Sequence, residues 1–111
     1  MPTAPQRPLR LALYARVSTA EQTVAPQLDR LREYAAARGL KVAREYVDQG
    51  VSGAKDRRPA LDALLADVRA RKVDAVAVVK LDRLARSVRH LLTLAADFEA
   101  LGVELVAADQ G

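Results

Sequence analysis

A chain of 111 residues is long enough for one domain with its own core and too short for two. Half of it is apolar but only 4% is aromatic, so leucine, valine and alanine must build the core, a composition that suits helices packed on a sheet. Cysteine is absent, which excludes disulfides, thiolate catalysis and Cys-ligated zinc, and the net charge of +4 permits a polyanionic partner without demanding one.

The single histidine, His90, gives a histidine metal site or a Ser-His triad little to work with. No apolar run approaches membrane-spanning length, and residues 1–8 lack the apolar core of a signal peptide. The expectation is a cytoplasmic protein with no membrane partner. With three prolines and no hydrophobic period, residues 1–8 read as a flexible leader.

The first strand is predicted over Arg10 to Val17. Leu11 to Ala15 is apolar on both alternating faces, as in a parallel sheet covered by helices on each side. Alternation puts Tyr14, Arg16 and Ser18 on one side of it and Leu13, Ala15 and Val17 on the other. Ser18-Thr19-Ala20-Glu21 also fits a helix capping box, so the turn has a structural reading beside a functional one. Pro26 suits the first turn of a helix whose Leu28, Leu31, Ala35 and Arg38 share a face, with Gly39 as its stop. Lys41 to Val47 reads as a strand near the sheet edge, ending at Asp48. Gln49 to Arg58 is a glycine-containing loop.

Pro59 starts a second helix with Leu61, Leu64, Leu65 and Val68 on its stripe. Ala75 to Val79 is rich in β-branched residues and reads as a central buried strand. A polar turn over Lys80 to Arg86 leads to a third helix with Leu91, Leu94, Ala95, Phe98 and Leu101, stopped by Gly102. Val103 to Ala107 is a fourth strand. Strands alternating with helices through short connections predict an α/β three-layer sandwich with a mainly parallel, roughly four-stranded sheet.

In such a topology the loops after the first three strands share one sheet edge, where open α/β sheets bind ligands. They carry Arg16 and Ser18; Asp48, Ser52 and Arg58; and Asp82, Arg83 and Arg86. Guanidiniums converging on a hydroxyl make little sense for acyl transfer, which needs a base such as histidine. They suit attack on a phosphodiester, because arginine binds phosphate oxygens bidentately and neutralises the charge that builds on them. Each carboxylate also has a structural reading, Asp48 as a turn initiator and Asp82 as the cap of the third helix. A metal site is disfavoured, since the same arginines would repel the cation. His90 lies off the apolar stripe and reads as a solvated residue.

These motifs run in one order. Tyr14-Ala15-Arg16-Val17-Ser18-Thr19 with Gln22, then Asp48, then Ser52-Gly53, then Arg58-Pro59-Ala60-Leu61, then Lys80-Leu81-Asp82-Arg83-Leu84-Ala85-Arg86-Ser87 resemble the catalytic domain of serine recombinases of the resolvase/invertase family. The resemblance covers almost the whole chain after the leader, so residues 9–111 are expected to form that domain. It implies that Ser18 is the nucleophile, forming a 5′-phosphoseryl bond with DNA and releasing a 3′-hydroxyl without a metal or other cofactor. Arg16, Arg83 and Arg86 would bind the scissile phosphate, and Arg58 would assist from its mobile loop. Asp82 matches the family's aspartate, and Asp48, Gln22 and Gln27 match further polar site members, the two glutamines on the DNA-binding side. Tyr14 is expected to be structural.

Family members continue into a long dimerisation helix and a DNA-binding domain, and nothing after the third helix resembles either. The expectation is a domain lacking both, with the family's homodimer or tetramer weak or absent. A catalytically silent remnant acting as a protein-interaction module is the alternative. A flavodoxin-like phosphoacceptor domain built on Asp48 is weaker, because arginines rather than acids surround the strand ends.

Overall fold

The computed structural model describes residues 9–17, 23–49 and 58–109. The elements follow in the order β1 (Arg10–Val17), α1 (Ala25–Ala37), β2 (Lys41–Gln49), α2 (Pro59–Arg69), β3 (Ala75–Val78), a 3-10 turn (Leu81–Arg83), α3 (Val88–Ala100) and β4 (Glu104–Ala107). The strands form one sheet in the order β2-β1-β3-β4, and every pairing is parallel.

Two apolar layers cover the sheet. On one face Leu31 and Ala35 of α1 pack on Leu11, Leu13, Ala75 and Ala77. On the other, Leu61, Leu64 and Val68 of α2 and Leu94 and Phe98 of α3 pack on Ala12, Tyr14, Val76 and Val78. The chain therefore steps from β1 outward to β2 over one face. It then crosses back past β1 to β3 and on to β4 over the other, as right-handed connections require.

This reversal makes the β1/β3 boundary the topological switch point of the sheet, the place where ligand crevices form. The pairing shows the opening directly. β1 pairs with β2 as far as Val17↔Gln49, including Arg16↔Asp48. Its pairing with β3 covers only Leu11 to Leu13. Beyond Leu13 the two central strands part, and the Arg83 side chain from the 3-10 turn reaches the Arg16 carbonyl there. At the opposite end the Asp74 carboxylate holds both the backbone N–H (2.7 Å) and Nε (3.1 Å) of Arg10, pinning the starts of the same two strands together.

Two local expectations are corrected. Arg38 does not join the buried face of α1: it is the exposed C-cap residue, and its Cζ stacks 4.6 Å from the centroid of the Tyr34 ring. The helix stops where predicted, at Gly39, whose φ of 65° is the left-handed conformation that terminates helices. Asp82 does not cap α3, because the 3-10 turn takes up Leu81–Arg83. Ser87 caps instead, its Oγ accepting from the His90 N–H at 3.0 Å. The leader (1–8), the Ser18–Gln22 turn and residues 50–57 lie outside the described residues, and with them Ser18, Gln22, Ser52 and Gly53.

Candidate active site

The site grows from a helix that cannot cap itself. Pro59 opens α2 without an N–H, and Arg58 before it carries no short polar side chain to serve the next amides. Asp48 supplies the missing acceptor from the end of β2. Its Oδ1 accepts from Ala60 N at 2.8 Å and its Oδ2 from Leu61 N at 3.0 Å. The same Oδ2 accepts from the Tyr14 hydroxyl at 2.7 Å. Three donors satisfy a carboxylate that is only 3% exposed, where a bare charge would be costly. The positive end of α2 adds to its stabilisation.

Tyr14 is fully buried, and its hydroxyl is used in both directions. It donates to Asp48 and accepts from Arg58 Nε at 3.2 Å and Arg58 Nη2 at 3.0 Å. Burial, and next the bond to Asp48, push the Tyr14 phenol well above its ordinary range, with Arg58 pulling the other way. The phenol therefore stays protonated throughout the neutral range. Arg58 is 5% exposed, and its Nη2 also donates to the backbone carbonyl of Arg83. It is thus anchored in the core at the start of α2.

From Arg83 the chain of contacts returns to β1. Arg83 Nη1 donates to the Arg16 carbonyl at 3.3 Å. Gln27 grips the same residue's backbone from α1, its Nε2 donating to Arg16 O at 2.8 Å and its Oε1 accepting from Arg16 N at 3.3 Å. This amide continues the strand-like pairing of β1 at its end, on the side away from β2. Gln27 spends its amide on the protein backbone.

The structure brings Arg16, Asp48, Arg58 and Arg83 into one hydrogen-bonded network linking β1, β2, α2 and the turn after β3, with Gln27 against it. Arg86 lies just after the same turn, exposed, with its backbone N–H donating to His90 Nδ1 at 3.2 Å. Asp82 is exposed and lines, with Arg86 and Ser87, a shallow cavity of about 260 Å³ at the mouth of α3. It stands outside the buried network. Sequence reasoning set Tyr14 aside as structural and missed it as the hub. The available signal was Arg58-Pro59: a helix opening on proline after arginine must borrow its cap, and Asp48 on the neighbouring strand end is the acceptor to supply it. Among the described residues no group of three His, Cys, Asp or Glu side chains could hold a metal, and no helix is long and apolar enough to cross a membrane.

Comparison with known proteins gives this architecture a family. Residues 11–111 match the model described as "Resolvase, N terminal domain". The Transposon Tn917 resolvase of Enterococcus faecalis is 38% identical over 84% of this chain and 46% of its own length. A probable DNA-invertase, y4cG, of Sinorhizobium fredii (strain NBRC 101917 / NGR234) is 44% identical over 90% of this chain and 30% of its own. The chain spans less than half the length of these two relatives. Among solved structures, the N-terminal catalytic domain of TP901-1 integrase superposes with a TM-score of 0.80 at 42% identity, covering 91% of this chain and 78% of that one. Four parallel strands in this order, a cluster of arginines at their C-terminal ends and a family match over nearly the whole sequence agree: the chain belongs to the resolvase N-terminal domain family of serine recombinases.

Proposed function

We propose that residues 9–111 are the catalytic domain of a site-specific serine recombinase that cleaves and rejoins DNA through a covalent phosphoserine. The observation that carries this reading is the linked set of Arg16, Arg58 and Arg83 at the switch point of the sheet, with Arg16 two positions before Ser18 in the sequence. The guanidiniums of Arg58 and Arg83, each held by a backbone carbonyl beside the Arg16 backbone, suit a phosphodiester, whose equatorial oxygens gain charge as a nucleophile attacks.

In the proposed step the Ser18 Oγ–P bond forms as the bond from phosphorus to the 3′ oxygen breaks. Ser18 loses a proton and the departing oxygen gains one, giving a 5′-phosphoseryl protein and a 3′-hydroxyl. One phosphoester replaces another, so a 3′-hydroxyl from a second strand can reverse the step without ATP. Arg16, Arg83 and Arg86 bind the scissile phosphate, with Arg58 beside them. Asp82, adjacent to Arg83, holds a phosphate-binding guanidinium in place. Asp48 acts from behind, through Tyr14 and α2. Gln22 and Gln27 serve DNA binding, Gln27 indirectly, by holding the Arg16 backbone. DNA is the partner, and the assembly is the homodimer or tetramer that strand exchange between two duplexes requires.

The test is a protein–DNA adduct that survives SDS, formed on a nicked or suicide recombination-site substrate. Ser18→Ala should abolish it, and Thr93→Ala, an exposed position on α3, should retain it. Absence of any adduct, even after fusion to a dimerising helix and a DNA-binding domain, would overturn the recombinase reading and favour a silent interaction module.

A further inference from the structure

Arg58 is a buried cation whose described hydrogen-bond acceptors are both uncharged. They are the Tyr14 phenol oxygen and the Arg83 carbonyl. The carboxylate of the network, Asp48, is one hydroxyl away, bonded to Tyr14. Buried guanidiniums ordinarily pair with a carboxylate directly, and the contact offsets their desolvation. A second, partly buried cluster between β2 and α2 does that. There Tyr46 donates to Asp67 Oδ2 at 2.6 Å, and Arg44 Nη1 meets the same oxygen at 3.1 Å, so cation and anion touch. In the core the hydroxyl stands between them.

The interposed hydroxyl has a chemical consequence. A guanidinium in contact with a carboxylate is already neutralised, and a phosphate must compete for it. One held through a neutral relay is oriented by the carboxylate's field and keeps its charge for an outside anion. Nε and Nη2 take up the inner edge of the Arg58 fork. The planar group then projects its Nη1 edge in a fixed direction, and that edge has no hydrogen-bond acceptor among the described residues.

We infer that Tyr14 is a positioning residue for phosphate binding by Arg58, its hydroxyl passing the hold of Asp48 to the guanidinium without a direct ion pair. The inference rests on the recombinase reading for its reaction but not for its geometry. The raised proton affinity of the phenol agrees with it, since a relay that ionised near neutrality would turn into the contact ion pair it replaces.

Two measurements on Tyr14→Phe test it, and they fail separately. The first needs no DNA. In the 111-residue chain the Arg58 Nε–H should exchange slowly with water by NMR, and Tyr14→Phe should speed that exchange about tenfold, as expected for loss of one hydrogen bond. The Arg10 Nε–H, bonded to Asp74, serves as the unmoved control. Unchanged Arg58 exchange overturns the inference. The second is a double-mutant cycle on adduct formation. Tyr14→Phe should slow the adduct on the order of 100-fold. It should add no further loss in an Arg58→Lys background, which keeps the charge and removes the fork, nor in Arg58→Ala if that variant melts cooperatively. An equal loss in all backgrounds marks Tyr14 as packing only and overturns the inference. A wild-type protein that gives no adduct, with Arg58 exchange still dependent on Tyr14, rejects the recombinase reading and leaves the positioning of Arg58 standing.

Discussion

A carboxylate that accepts three hydrogen bonds in the core has no substitute that keeps both its shape and its acceptors. An asparagine side chain would match the shape of Asp48 but bring one accepting oxygen, and its NH2 would face the Tyr14 hydroxyl or the α2 amides. Asp48→Asn should therefore lower stability by about 2 kcal/mol in chemical denaturation, within the range for leaving a buried polar group unsatisfied. The loss should appear without any change in the slope of the transition. Arg16, Asp48, Arg58 and Arg83 were legible as site candidates because the loops after the first three strands share one sheet edge and their motifs run in the serine recombinase order. The links among them were not legible. Which hydroxyl meets which carboxylate depends on the β1/β2 register that sets Tyr14 opposite Tyr46 and Arg16 opposite Asp48, and alternation within one strand says nothing about its neighbour.

At the scale of elements, the apolar stripes located all three helices, and glycines marked the stops of α1 and α3 with φ of 65° and 72°. The stop of α2 differs. Arg71 takes the left-handed conformation with φ of 61°, after which Lys72 N–H reaches back to the Asp67 carbonyl at 2.9 Å. A side chain in that conformation costs about 1 kcal/mol relative to glycine. Arg71→Gly should thus stabilise the domain by somewhat less than that, read as a rise of a few degrees in Tm. The bond from Arg10 Nη2 to Arg71 uses the backbone carbonyl and survives the change. The turn before α3 was legible, but the residue that caps the helix was not. Asp82 and Ser87 are both good caps by type, and only the 3-10 turn at Leu81–Arg83 decides that the helix starts after Ser87.

Across the whole molecule the two buried tyrosines make stability depend on alkaline pH. Burial and the bond to Asp67 push the Tyr46 phenol up to about 12 from its ordinary 10.0. Below pH 10 folded and unfolded chains both hold this proton, and its contribution is fully present. Between 10 and 12 the unfolded chain gives it up first, so stability falls as pH rises. Denaturant midpoints should be flat from about pH 7 to 9 and drop beyond about 10, with Tyr46→Phe flattening the first part of the drop. Tyr14, raised further, extends the same trend upward. The sheet order was legible only in outline: alternating elements predicted a parallel sheet, but the return past β1 that creates the switch point emerges from which face each helix covers.

That Asp48 caps α2 while holding Tyr14 has a consequence for how such a domain decays. A gene copy released from selection for chemistry, but still selected to fold, would retain Asp48 and Tyr14, and with them Arg58, because the helix start and the core depend on them. Sequence drift would leave this half of the crevice looking intact. In a survey of related genes, an unaltered Asp48 therefore reports that the protein folds. Under the proposed recombinase reading, Ser18 and the exposed Arg86 are the positions whose loss would silence cleavage while leaving the fold intact.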